Sequence, residues 1–421
     1  MLQFNLYTVN VQMNTRIRLM KRIPADYMVL QKFCSNKISP CQLDPYHPCA
    51  NFRYFHQKFP HSMDKIFGFL TPALVYGFIF ILNSALPGRW VTGYVTKSNS
   101  SEKLRYRLNG LFVLFTVVLC WFVLCYTGLL AWDHLYTYRW FTLAGAITFG
   151  LIFSFAIVVP YAAVKKSFLA DFFFGRLENP QLWGGRIDAK MWLYLVGAVM
   201  LQLNILSFAA HHYLLYGTEA SPGIYLSTAL LTFFIIDYLT FEEVHLYTYD
   251  FFAERVGFKL GWGCIAFYPF FYSIQLWSTV DLPDANTPSY LLFVYALLFF
   301  SGWTLSRGAN LQKYFFKKDP NMLFFGIKPE TISDGQKTLL VNGFWGLSRH
   351  INYFGEILMA TGIILCVGHP ALIWPWLYPL YYVALLLPRQ LDDDKRCALK
   401  YGALWKVYKD KVPYKIIPYI Y

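Results

Sequence analysis

Apolar positions in this chain gather in long runs rather than in stripes or alternations. A helix needs about 20 such residues to cross the hydrocarbon of a bilayer. The clearest run, residues 111–132, holds 22 residues and no charge. Others cover residues 66–86, 141–164, 191–215, 224–239, 260–280, 290–305, 353–367 and 371–387. None shows the period-two alternation of a strand, and lipid admits only segments whose backbone hydrogen bonds close internally. The pattern predicts an all-α fold, a polytopic transmembrane helical bundle of about 9–10 spanning helices, nine readable and a tenth short or broken.

Polar positions concentrate in residues 165–190, 242–259, 307–349 and the tail 389–421. These stretches carry most of the Lys and Arg, so all four are expected on one side of the membrane. His211 and His212 close an apolar run and read as interfacial residues. Residues 1–60 form a basic, aperiodic arm with Pro24, Pro40, Pro45 and Pro48 and no apolar core long enough for a signal peptide. Asn99-Ser100-Ser101 is a glycosylation sequon, a pattern common by chance.

Composition supports the membrane reading: 56% of residues are hydrophobic and 14% charged, against about 45–50% and about 25% in soluble domains. The net charge of +13 fits basic cytosolic loops and, within particular loops, a pocket for an anionic cofactor. Aromatic residues at 20% suit interfacial belts and a pocket for a flat apolar ligand. The eight cysteines contain no CxxC pair, so no metal site is expected. Cys34, Cys41 and Cys49 lack zinc-like spacing, and Cys120, Cys125 and Cys366 lie in apolar runs as core residues. The lipid bilayer is a certain partner; nothing points to nucleic acid, and no protein partner is deducible.

The most informative segment is residues 339–356, with Gly343-Phe344-Trp345-Gly346 followed by Arg349-His350, Asn352-Tyr353 and Gly355-Glu356. It puts two basic side chains and an amide where an apolar helix begins. Buried at a membrane boundary, such groups are costly unless a phosphate or carboxylate meets them. The tail adds Arg389, the triple Asp392-Asp393-Asp394, Cys397, Lys400-Tyr401-Gly402 and Trp405, and ends Ile416-Ile417-Pro418-Tyr419-Ile420-Tyr421.

These two motifs, in this order, resemble the C-terminal signature of the sterol reductases, which comprise the C14, Δ7 and Δ24(28) enzymes and the membrane part of lamin B receptor. A weaker likeness extends upstream through Asp171–Pro180, Asp188, Lys190, Thr248-Tyr249-Asp250, the glycines from Gly257 to Gly263, and Asn310, Gln312 and Lys313. The resemblance divides the chain into the arm 1–60 and a sterol reductase-like transmembrane domain 61–421, with its NADPH-binding part at about residues 306–421. It implies NADPH-dependent reduction of a sterol carbon–carbon double bond, closest to the C14 enzymes, in an endoplasmic reticulum membrane. Lys313, Arg349, Arg389 and Lys400 would then meet phosphates. Trp345, Tyr401 and Trp405 would stack or hydrogen-bond, Asp393 would accept from ribose or amide, and His350, Asn352, Tyr353 and Cys397 would complete the cofactor site.

Reducing an isolated alkene also needs an acid. The central loop is where the chain departs from the family pattern: Phe241 replaces an Asn, Glu242 keeps an acid, and His245 stands at the usual Tyr. Further departures are Ala253-Glu254, Gly263-Cys264, Val196-Gly197 and Asp392. The acid is expected within residues 242–254, with His245 as donor and Glu242 or Asp250 holding its ring charged. Three other readings compete. They are reduction of the Δ7 or Δ24(28) bond, an isoprenylcysteine- or phospholipid-type membrane methyltransferase using S-adenosylmethionine, and a non-catalytic sterol-binding or tethering protein. Gly261-x-Gly263-x-x-Ala266 fits a nucleotide-binding spacing but lies in an apolar run with no strand before it, so it reads as helix packing.

Overall fold

The computed structural model describes residues 61–96, 101–165 and 167–421. The arm 1–60, with Cys34, Cys41 and Cys49, and the Asn99 sequon lie outside the described residues. Among the described residues, five helices are long and apolar enough to cross a membrane. They are α1 (His61–Ala85), α3 (Arg139–Val158), α4 (Ala189–Tyr216), α5 (Pro222–Thr240) and α6 (Ser289–Lys318). Shorter apolar helices carry two more runs, α2 (Gly110–Tyr126) and α7 (Ile351–Cys366). The run at 371–387 begins α8 (Ile373–Tyr401), whose second half is charged and leads through Gly402 into α9 (Ala403–Lys411).

Helix α4 is apolar on all sides and packs at the centre, touching α1, α2, α5 and the run at 260–280. Asp188 caps its start, accepting from the backbone N–H groups of Lys190 (3.0 Å) and Met191 (3.1 Å). The run at 260–280 is not one helix. It breaks into short helical pieces around a π-turn at Gly263–Phe267. Pro269 is the cause: it lacks the N–H that would close on Ile265 O. The Tyr76 hydroxyl donates to that orphaned carbonyl instead, at 2.6 Å. Helices α6 and α7 approach closely through small residues. A Cβ on Gly302 would lie 2.6 Å from Gly355 O, and one on Gly355 2.4 Å from Gly302 O.

The all-α architecture also carries short hairpins outside the helices. Strand β1 (Arg89–Thr96) pairs antiparallel with β2 (Lys103–Leu108), Val91 opposite Tyr106. Its inward face, Val91, Leu104, Tyr106 and Leu108, packs on Leu246 and Phe251 of the central loop. The four polar stretches meet at this same end. Val256 N–H donates to Leu177 O (2.8 Å), Lys318 pairs with Glu243 (2.6 Å), and Arg389 pairs with Asp250 (2.8 Å).

Candidate active site

A cavity of about 410 Å³ opens among α5, the central loop, the broken run, α6, α7 and α8. Its lining changes character with depth. Helix α6 contributes Lys313, Asn310, Arg307, Ser306 and Trp303 in that order inward, and α8 contributes Asp393, Arg389, Leu386, Leu385 and Tyr381. At 1.5 Å per residue, those ten and twelve steps span about 15 and 18 Å. One end is therefore polar and cationic, and the other is aromatic and aliphatic.

Much of the predicted cofactor set lies at the polar end. Lys313, Trp345, His350, Asn352, Tyr353, Arg389 and Asp393 all line the cavity. Gln312 docks the Gly343-Phe344-Trp345 turn onto α6, accepting from Phe344 N–H at 3.0 Å. Gly343 has φ +63°, and a Cβ there would fall 2.2 Å from Gln312 Nε2, so the turn requires glycine. Trp345 Nε1 donates to Ala309 O (2.8 Å), and the Lys313 ammonium lies 5.2 Å from its ring. His350 Nε2 and Asn352 Oδ1 are buried without a hydrogen-bond partner among the described residues. Burial, then the nearby Lys313 and Arg349 charges, lower the His350 pKa to about 3. Burial raises that of Asp393, against the pull of Lys313. These unpaired polar atoms beside cationic side chains fit a ligand that is both anionic and rich in hydrogen-bonding groups.

Other members of that set stand outside the lining. The Arg349 side chain is 5% exposed, and its Nη1 donates to the carbonyls of Val412 and Pro413, each at 3.0 Å. Its backbone N–H donates to Tyr414 O (2.9 Å), and that of His350 to Lys415 O (2.8 Å). Arg349 thus straps the C-terminal tail to the start of α7, because its geometry directs the guanidinium at carbonyls rather than into the cavity. Cys397, Tyr401 and Trp405 pack with Tyr408, Val412 and Leu339 in a cluster behind the polar end. Lys400 lies over Tyr401, 5.2 Å from its ring.

The central loop differs from expectation in its chemistry. Glu242 does not face the cavity. It is buried and accepts from Gly110 N–H at 3.1 Å; burial pushes its carboxyl up to about 7 despite that bond. His245 does line the cavity, stacked on Tyr238 with ring centroids 3.9 Å apart. No carboxylate holds it charged. Burial, and then the Arg307 guanidinium, lower its pKa to about 3. The ring is neutral near pH 7, so the expected imidazolium donor is not what the structure carries. His245 Nε2 lies 3.2 Å from Tyr238 O, a group that only accepts, so that nitrogen holds the proton. Asp250 lines the cavity but is paired with Arg389. Lys190 positions the loop: its ammonium donates to the carbonyls of Asp250 (2.9 Å), Phe251 (3.1 Å) and Glu254 (2.7 Å).

The middle of the cavity holds residues to which the sequence motifs assign no role. Asp237 is paired with Arg307, whose Nε donates at 2.9 Å. Glu356 accepts from Ser306 Oγ at 2.6 Å. Tyr194, Tyr238, Tyr268, Tyr272, Tyr381 and Tyr382 surround them. The available signal was an acid inside an apolar run, which at membrane depth marks function by default.

An internal chamber graded from cations to aromatic rings, buried among apolar helices, defines a polytopic membrane enzyme acting on an apolar substrate. Comparison with known proteins narrows the class: residues 17–421 match the ergosterol biosynthesis ERG4/ERG24 family, and the chain belongs to it. The Delta(14)-sterol reductase of Arabidopsis thaliana is 31% identical over 382 residues, covering 85% of this chain and 100% of that protein. That of Methylotuvimicrobium alcaliphilum is 33% identical over 350 residues, 80% and 79% of the two chains. The Delta(14)-sterol reductase ERG24 of Saccharomyces cerevisiae is 32% identical over 375 residues, 83% and 82%.

Proposed function

We propose that this protein reduces the C14–C15 double bond of a sterol intermediate with NADPH, in the endoplasmic reticulum membrane. The observation that carries the reading is the polarity gradient of the chamber. Its cationic end, with His350 Nε2 and Asn352 Oδ1 unpaired, suits a phosphorylated dinucleotide. Its aromatic end suits a rigid apolar ring system. The names of the three relatives point to the same bond. NADPH supplies a hydride when bound. Lys313 and Arg389 offer charge to phosphates, with Lys400 behind them. Trp345, His350, Asn352, Tyr353 and Asp393 offer planar and hydrogen-bonding surfaces. Arg349, Cys397, Tyr401 and Trp405 hold the tail that closes this end.

Sterol profiling after deletion of the gene tests the reading. A C14–C15 unsaturated sterol should accumulate and disappear on complementation. Accumulation of a Δ7 or Δ24(28) sterol would reassign the bond, and an unchanged profile would remove the function. Titration of the purified protein separates the classes: NADPH should bind, and S-adenosylmethionine should not.

A further inference from the structure

We propose that Glu356 is the acid that protonates the alkene; this rests on the reductase reading above. Five carboxyl groups line the chamber: Asp237, Asp250, Glu254, Glu356 and Asp393. Three are committed to cations: Asp237 to Arg307, Asp250 to Arg389 at 2.8 Å, and Glu254 to Lys259 at 2.6 Å. In these three the carboxylate oxygens are engaged by a cation rather than turned free into the chamber. Asp393 sits at the polar end, 3.9 Å from His350 and near Lys313. Glu356 forms no ion pair among the described residues; its hydrogen-bond partners are neutral hydroxyls, Ser306 Oγ at 2.6 Å and that of Tyr382. The Ser306 bond holds Oε1 and fixes the rotamer.

Position agrees with chemistry. Asn352, Tyr353, Glu356 and Met359 line the chamber from one face of α7. Glu356 is one helical turn deeper than Asn352, about 6 Å along the axis. It therefore stands where the polar end meets the aromatic end, at the depth where a ring bond and a nicotinamide would meet. The step balances without another reactant. The alkene π pair takes the proton of the carboxyl group, forming a C–H bond and breaking the O–H bond. The adjacent carbon, left electron-deficient, accepts a hydride with its two electrons from the dihydronicotinamide, which is oxidised. Tyr238, Tyr268, Tyr272, Tyr381, Tyr382 and Trp303 line the space where that positive charge develops, and aromatic rings there would stabilise it. The Arg307 guanidinium, one residue beyond Ser306, offsets the carboxylate left behind, which regains its proton from water at the polar end.

The test uses the full chain in nanodiscs with NADPH and a C14–C15 unsaturated sterol. Glu356→Gln keeps the size and the acceptor for Ser306 but has no acidic proton. Its turnover should fall at least 100-fold, within the about 10²–10⁴ expected of a general acid, while NADPH and sterol affinities stay within about twofold. Glu356→Asp should recover part of the rate and displace the limb of the kcat–pH profile along which activity is lost as pH rises. Ser306→Ala should lower kcat with little change in sterol KM. Turnover of Glu356→Gln within threefold of the parent would overturn the assignment, as would a pH limb that Glu356→Asp leaves unmoved. If Glu356→Gln fails to fold, the limb displacement in Glu356→Asp decides the matter by itself. A parent that binds NADPH but reduces no sterol would instead sink the reductase reading, and this proposal with it.

Discussion

Replacing Arg349 by Ala separates two roles that sequence and structure assign to the same side chain. By sequence, Arg349 begins an apolar helix beside His350 and Asn352 and resembles a phosphate ligand. By geometry, its guanidinium is spent on Val412 O and Pro413 O, each 3.0 Å away. The alanine variant removes two charge-assisted hydrogen bonds and leaves two carbonyls, the buried one of Val412 and that of Pro413, to find new partners. Hydrogen bonds to a charged group contribute about 1.5–3 kcal/mol each, with the upper end unreached when two share one group. A loss of about 2–4 kcal/mol is expected, which raises the open fraction of the tail by roughly 30- to 1000-fold. The remaining clamp, Ser348 Oγ to Ile416 O at 2.7 Å and the backbone bonds to Tyr414 and Lys415, keeps the tail from leaving altogether.

Hydrogen exchange followed by mass spectrometry reads this directly. Amides in residues 403–417 should lose protection in Arg349→Ala, and those of α4 should keep it. NADPH affinity should weaken as a consequence, in proportion to the open fraction. Arg349→Lys, with one point charge in place of a fork, should recover part of the protection. If exchange of the tail is unchanged while the NADPH dissociation constant rises tenfold, the side chain is a cofactor ligand and the strapping role is wrong.

Arg389→Ala should raise the NADPH dissociation constant tenfold or more, since a desolvated charge-assisted contact is worth about 1.5–3 kcal/mol; binding like the parent's would displace the cofactor from this end of the chamber. Lys190→Met removes the ammonium from three loop carbonyls and should lower the melting temperature and raise sterol KM, whereas melting like the parent's would deny the lysine its positioning role. Tyr76→Phe leaves Ile265 O unpaired within the helices and should cost about 1–3 kcal/mol, measurable as a shift in thermal unfolding in detergent. His245 and His350 have folded pKa values near 3, while unfolded imidazole titrates near 6.5. Between those values the unfolded chain binds protons that the folded chain refuses. Stability is therefore fully present above about pH 6.5 and declines as pH falls toward 3, by up to about 1.4 kcal/mol per unit per ring. His350→Asn should flatten that decline, and an unchanged slope would show that the ring is charged when folded.

Much of this was legible because lipid enforces simple rules. Charge-free runs located the helices, and the clustering of Lys and Arg foretold which loops would meet. The signature around Arg349 and the tail holds Trp345, His350, Asn352, Tyr353, Arg389 and Asp393, which the fold gathers in one chamber. Other features were written in a weaker hand. Lys103 to Leu108 alternates polar and apolar residues with the period of a strand, but a single short alternation does not stand out beside spanning runs. Arg349 and Lys313 look alike in sequence, both basic, one inside the motif and one upstream of it. Only packing shows that one faces carbonyls and the other the cavity. The same applies to Glu242 and Asp250, eight residues apart, one buried against Gly110 N–H and the other paired across the chamber with Arg389.

The broken run shows how a local sequence rule becomes part of the site. Pro269 removes one helical hydrogen bond, and in lipid the freed carbonyl must find a donor inside the protein. Tyr76 of α1 supplies one at Ile265 O, and Asn204 of α4 donates to Pro269 O at 2.8 Å. With those bonds made elsewhere, the chain takes a wider turn at Gly263–Phe267. A regular helix presents a residue to one neighbour every three or four positions. Here Leu260, Gly263, Cys264, Phe267, Tyr268 and Tyr272 all reach the chamber, including two adjacent pairs. The break therefore widens the aromatic wall that faces Glu356. It also brings Cys264 to the same space. Glu356, opposite that wall, holds a hydrogen bond from Ser306 and no ion pair among the described residues, an arrangement that suits an acid catalyst.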